Sequence, residues 1–181
     1  MRDRIIESME RHEKLLPIAD FDVSLKYKDN CLACPNYGKN LSCPPFSPAF
    51  SEYLRKAKEA KVICLRLPLE TLHHLPAEER ARAGYENLSS LLISELQEQR
   101  KKGHVVAGAG ECKACKECPI VGEEGICIKP DKQIYSLESL GANLSTLIER
   151  CFDFSLEWDK ERGAARHVCA VGAVFFTRTR H

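Results

Sequence analysis

The sequence predicts an α/β or α+β fold, a small mixed sheet with flanking helices and two cysteine-rich cluster-binding loops. The runs VICLRL at 62–67 and HVCAVGAVFFT at 167–177 are short, apolar and rich in β-branched residues, as buried strands are. Residues 76–102 carry Tyr85, Leu88, Leu91, Leu92 and Leu96 at helical spacing. Helices and strands are interleaved with no repeat of fixed period, which points to one mixed architecture. A chain of 181 residues is long enough for one domain with a real core and short for two, so a single metal-binding domain over 1–181 is expected.

Each element has its own signal. Ile5, Met9, His12 and Leu16 recur at helical spacing before Pro17, predicting an amphipathic helix over 3–15. A short strand is expected in FDVSLKY, 21–27, and the Pro-, Gly- and Asn-rich stretch CLACPNYGKNLSCPPFSP, 31–48, reads as an irregular loop. Ser47 and Pro48, a cap followed by a first-turn proline, predict a helix burying Phe50, Tyr53, Leu54 and Ala57. Gly103 terminates the long helix, and HVVAGAG, 104–110, predicts a strand entering the second cysteine loop. Asn143 caps a predicted helix with Leu144, Leu147, Ile148 and Cys151 on its apolar face.

Composition excludes several classes. With 44% hydrophobic and 29% charged residues the chain is neither disordered nor a membrane protein. A net charge of +1 gives no pull toward nucleic acid. No run reaches the roughly 20 apolar residues of a membrane span, and MRDRIIESMERHEK is too charged for a signal-peptide core. A cytoplasmic protein is expected, and a reducing cytosol turns its ten cysteines toward metal binding or catalysis rather than disulfides.

Seven of those cysteines fall in two loops: Cys31, Cys34 and Cys43, then Cys112, Cys115, Cys118 and Cys127. CxxCxxC delivers three thiolates from one short loop, as ferredoxin-type runs do for three corners of a cubane, with a later cysteine completing the set. Structural zinc more often takes two separate CxxC arms around one tetrahedral ion. Proline follows Cys34, Cys43 and Cys118 directly, fixing the chain direction around a bulky core. The spacing favours one or two [4Fe-4S] clusters, with zinc as the alternative.

The first set has three cysteines and one open position. A remote cysteine (Cys64, Cys151 or Cys169, of which Cys151, on a helix that follows the second loop closely, is the best candidate), a non-cysteine side chain or water, or an exogenous ligand can fill it. The three remote cysteines lie in apolar surroundings and read first as core residues. His73 and His74 read as an exposed turn and GEEG, 122–125, as another turn, while Lys113, Lys116, Lys129 and Lys132 surround the second loop, where they would offset thiolate charge. No phosphate-binding glycine loop or dinucleotide fingerprint is present.

Over about Phe21 to Leu147, the motifs CxxCPxYG with SCPP, then GxCxxCxxC with a later CxxP and the segment SLESLG, resemble a family of small prokaryotic cysteine-rich proteins catalogued as predicted metal-binding proteins. The resemblance implies ligation by Cys31, Cys34, Cys43, Cys112, Cys115, Cys118 and Cys127. Where such proteins often carry an arginine after the last cysteine, this chain has Ile128. The expected function is iron-sulfur cluster binding that serves electron transfer to, or maturation of, a partner metalloenzyme. The alternatives are an enzyme that binds substrate at an open iron on Cys31, Cys34 and Cys43, with Tyr37 or Lys39 as proton donors, and a structural zinc-binding interaction module.

Overall fold

The computed structural model describes residues 2–121, 124–158 and 164–177. The chain runs α1 (Arg2–Ser8), β1 (Glu10–Pro17), α2 (Phe50–Tyr53), β2 (Glu59–Pro68), α3 (Ala77–Lys101), β3 (Val105–Ala107), β4 (Ile120–Val121), β5 (Glu124–Gly125), α4 (Leu144–Cys151) and β6 (His167–Phe176). One sheet has the order β1-β2-β6-β3, and a separate two-stranded sheet pairs β4 with β5.

Every neighbour in the four-stranded sheet is antiparallel, so of the two expected classes the fold is α+β, and its main sheet is antiparallel where a mixed one is expected. The reason lies in β6. Strands β2 and β3 flank it, both antiparallel to it, and therefore run the same way with α3 between them in sequence. The helix-linked pair is split by the last strand, which removes the one parallel contact the chain order suggests.

Strand alternation sorts the core into two layers. Ala60, Val62 and Cys64 of β2 join Val171, Ala173 and Phe175 of β6 on one face, under Leu144, Leu147, Ile148 and Cys151 of α4. On the other, Ile63, Leu65 and Leu67 join Ala170, Val174 and Phe176 under Leu88, Leu92 and Leu96 of α3. Two covered faces explain why both central strands read as nearly continuous apolar runs although the sheet is antiparallel. Gly172 makes this packing possible, because a Cβ there would lie 2.9 Å from the Ala107 carbonyl oxygen and 3.0 Å from Leu96.

The predicted helix over 3–15 ends at Ser8, and residues 10–17 pair with β2 instead. Ile5 packs under α3, whereas Leu16 joins the opposite core layer and His12 meets Phe152 tilted and Phe154 edge-on, so the apparent period spans a helix and a strand. Tertiary pairing overrides local pattern here. The charges of β1 suit an edge strand, with Arg11 bound to Glu95 of α3 at 2.7 Å. The predicted strand in FDVSLKY is reduced to an isolated bridge between Val23 and Ala142, followed by a 3₁₀ stretch over Leu25–Ala33, since Val23 and Leu25 are both exposed and have no face to bury. Ser47 does not cap α2, whose first flanking residue is Ala49; its hydroxyl donates to the Ser139 carbonyl at 2.6 Å. The long helix and the α4 cap, Asn143 Oδ1 accepting from the Thr146 amide, stand as predicted.

Asp22 ties the first turn of α4 to the approach of the first cysteine loop. Its carboxylate accepts from the Tyr27 hydroxyl at 2.8 Å, Asn143 Nδ2 at 3.1 Å and Thr146 Oγ1 at 3.3 Å. The Tyr27 bond foremost, then those of Asn143 and Thr146, hold this carboxyl below the usual carboxylate range. A depressed folded value means that its stabilisation is present above the unfolded pKa of about 3.9 and is lost as pH falls through the folded one. Asp22→Asn should therefore lower the urea midpoint at neutral pH and flatten its decline on acidification; an unchanged acid profile would remove Asp22 from the linkage. Truncating the fully buried Leu92 to Ala should destabilise the chain by about 2–5 kcal/mol, read from urea unfolding.

Candidate metal centre

Successive turns place the thiols of the first loop. The Cys34 amide donates to the Cys31 carbonyl at 2.9 Å and the Tyr37 amide to the Cys34 carbonyl at 3.1 Å. The Phe46 and Ser47 amides both donate to the Cys43 carbonyl, at 3.0 and 3.1 Å, and the Gly38 amide closes the loop on the Pro44 carbonyl at 3.0 Å. Each cysteine thus heads a turn, and the prolines after Cys34 and Cys43 set the exit direction. Cys31, Cys34 and Cys43 consequently line one cavity of about 260 Å³, together with Tyr37, Tyr85, Glu111 and Glu138.

Burial, first, and then the negative charges of Glu138 and Cys34 push the Cys31 thiol up. Burial likewise pushes Cys43 to about 12. Low-dielectric surroundings and acidic neighbours disfavour free thiolates, and a cationic metal core bound by them reverses both effects.

Glu138 belongs to the segment SLESLG, 136–141, a turn between the second cysteine loop and α4. The residue as a whole is half-buried, but its Oε2 is shut off from solvent and has no hydrogen-bond partner among the described residues; burial raises the carboxyl pKa. The turn is fixed from both ends. Ser136 Oγ accepts from the Ser139 amide at 3.0 Å, and Gly141, at φ +97°, takes a left-handed conformation where a Cβ would lie 2.9 Å from the Ser24 carbonyl oxygen. Glu138 also borders two further cavities. One, of about 590 Å³, includes Cys31, Cys34, Tyr27 and Trp158; the other, of about 210 Å³, is largely apolar and includes His167, Trp158 and Cys169.

The second loop lies against the first. Asn40 Nδ2 donates to the Cys112 carbonyl at 3.0 Å, the Cys112 amide to Ser42 Oγ at 3.1 Å, and Asn36 Nδ2 to Glu111 at 3.2 Å. Lys129 reaches across the loop to the Ala114 carbonyl at 2.9 Å, and the end of α3 holds the return segment through Gln97 to the Lys132 carbonyl at 2.7 Å and Arg100 to the Pro130 carbonyl at 2.9 Å. Cys112 Sγ lies 3.8 Å from the Lys132 carbonyl oxygen, and Cys127 lines a surface cavity with Gln133 and Tyr135. Cys115 and Cys118 are partly exposed. The predicted turn GEEG falls partly on residues 122–123, outside the described residues, while its last two residues, Glu124 and Gly125, form β5 and pair with β4.

The remaining candidates sort clearly. Cys64, Cys151 and Cys169 belong to or pack on the core layer under α4, and none lines the three-thiol cavity. The contact with Cys169, and then burial, push the Cys64 thiol far up. Tyr37 lines the cavity while Lys39 does not. His73 and His74 are exposed, as predicted. Among the described residues no three His, Cys, Asp or Glu side chains form a group that could hold a metal ion. Cys31, Cys34 and Cys43 share the lining of one cavity without forming such a group. Sequence reasoning names the segment SLESLG as part of a motif but does not single out Glu138 within it; the further signal is a carboxylate between Leu137 and Leu140, both of which are fully buried.

No helix among the described residues is long and apolar enough to cross a membrane. Residues 14–176 match the family model described as "Predicted metal-binding protein (DUF2284)". Neither the curated proteins nor the solved structures contain a match to the chain.

Proposed function

We propose, for a chain that belongs to this family of predicted metal-binding proteins, that it is a cytosolic iron-sulfur protein. One [4Fe-4S] cluster would be held by Cys112, Cys115, Cys118 and Cys127, and a second by Cys31, Cys34, Cys43 and a further ligand. The observation that carries the reading is the convergence of three thiols from one proline-bent loop on a single cavity, beside a CxxCxxC loop latched to it. Soft thiolates in this density select iron-sulfur cores or zinc, and the CxxCxxC run, which delivers three thiolates from one short loop, favours the former.

Electron transfer to, or maturation of, a partner metalloenzyme is the use that fits. Ile126 and Ile128, 85% and 67% exposed, flank Cys127 and give the second loop an apolar rim suited to a protein partner. When bound, the clusters would supply one-electron chemistry, and the chain's residues hold and insulate them.

A second reading is favoured by the two cavities adjoining the first loop. Glu138, Trp158 and the His167–Glu157 pair, 3.0 Å apart, surround space for a small, mainly apolar ligand next to the three-cysteine site. In that case cyanide, used as a probe of an exchangeable iron, should alter the electron paramagnetic resonance signal of the first-loop cluster; a signal indifferent to cyanide would discard the enzymatic reading.

Protein purified without air should be brown and contain iron and acid-labile sulfide. Cys115→Ser and Cys43→Ser should each remove a different component of the spectrum and its share of the iron. Full zinc occupancy without sulfide would sink the iron-sulfur proposal in favour of the zinc module.

A further inference from the structure

If the first loop holds an iron-sulfur cluster, Cys31, Cys34 and Cys43 leave it one ligand short, and the identity of that ligand rests on the iron-sulfur proposal. Two carboxylates line the cavity these thiols share. Glu111 is engaged, accepting from Asn36 Nδ2 at 3.2 Å. Glu138 is different, because its Oε2 is shut off from solvent and has no partner among the described residues. Buried polar atoms are almost always bonded, so an orphaned carboxylate oxygen beside three thiols calls for a partner from outside the protein chain.

The geometry points to Glu138 as the fourth ligand of the metal centre on Cys31, Cys34 and Cys43, binding through Oε2. Its turn is held for this role. The Ser139 amide and hydroxyl bond Ser136 at 3.0 and 2.9 Å, and the Ser47 hydroxyl joins the Ser139 carbonyl at 2.6 Å, tying the carboxylate's turn to the residue four places after Cys43. Donors fixed by surrounding hydrogen bonds are what a metal site needs before the metal arrives. The remote cysteines offer no rival, since none reaches this cavity. A carboxylate is a harder donor than a thiolate and leaves the iron it binds more exchangeable, which fits an iron beside open cavities.

The test uses the full chain isolated without air, with iron and sulfide per chain and the electron paramagnetic resonance spectrum as readouts. Glu138→Ala should lower the iron-to-sulfide ratio and replace the first-loop four-iron signal with that of a three-iron cluster. Glu138→Cys should restore four-iron content with shifted g values and a lower reduction potential. Glu111→Ala should retain the first-loop four-iron signal and the wild-type iron-to-sulfide ratio. Should Glu138→Ala fail to fold, Glu138→Gln, matched in volume, is expected to show the same loss. The inference is overturned by a wild-type ratio and spectrum in the Glu138→Ala or Glu138→Gln protein, or by the three-iron signal arising from Glu111→Ala instead. Failure of the iron-sulfur proposal itself is distinguishable, because wild-type protein would then lack sulfide altogether.

Discussion

The segment from Tyr135 to Asn143 has no regular structure of its own, yet the site depends on its hydrogen bonds. The Gly108 amide donates to the Tyr135 carbonyl at 2.8 Å and the Leu137 amide returns to the Gly108 carbonyl at 3.3 Å, fastening the segment to the end of β3. The Phe50 amide takes the Leu140 carbonyl, the Ser24 amide the Gly141 carbonyl, and the Asn143 amide the Asp22 carbonyl, at 3.0, 3.0 and 2.9 Å. An irregular buried backbone must satisfy each polar group one by one. Here those obligations join the sheet, the first cysteine loop and α4 through one turn, and Glu138 sits at its centre.

The loops meet the same requirement with side chains. Lys28 donates to the carbonyls of Ser47 and Pro48 at 2.8 and 2.9 Å, and Gln133 to that of Leu41 at 3.3 Å. Together with Asn40 and Ser42, these bonds convert two irregular sequences into a common seam without a β ladder. Thiols carried on such a seam are already positioned by hydrogen bonds, so metal binding need not create the arrangement from an unfolded chain, in contrast with small zinc modules.

What can be read from the sequence follows the range of the forces involved. The strands VICLRL and HVCAVGAVFF, the 25-residue α3 and the Asn143-capped α4 are readable because burial on two faces, helical period and capping are local signals. Residues 10–17 mislead because a helical spacing and a strand's alternation coincide at His12 and Leu16, and only pairing with β2 decides between them. The antiparallel order is hidden for a related reason: nothing near 105–107 announces that residues 167–176 will insert beside it. The seven loop cysteines are plain from spacing, but Glu138 lies more than ninety residues from Cys43 and becomes part of their cavity only after folding.

The two loops differ in electrostatics as well as in ligands. The second carries exposed Lys113, Lys116, Lys129 and Lys132 interleaved with exposed Glu117 and Asp131, whereas the first faces Glu111 and Glu138 across its cavity. Positive charge near a cluster raises its potential, and negative charge lowers it. On the proposed two-cluster reading, Glu111 and Glu138 would lower the potential of the first-loop cluster, while the mixed charges of the second loop give its cluster no such bias, beside the exposed Ile126 and Ile128. A first-loop cluster would then be the harder of the two to reduce, beside the cavities that Glu138 borders. If both clusters form as proposed, the hydrogen-bonded seam between the loops would set a site beside an exposed apolar rim apart from a site that adjoins the cavities at Glu138.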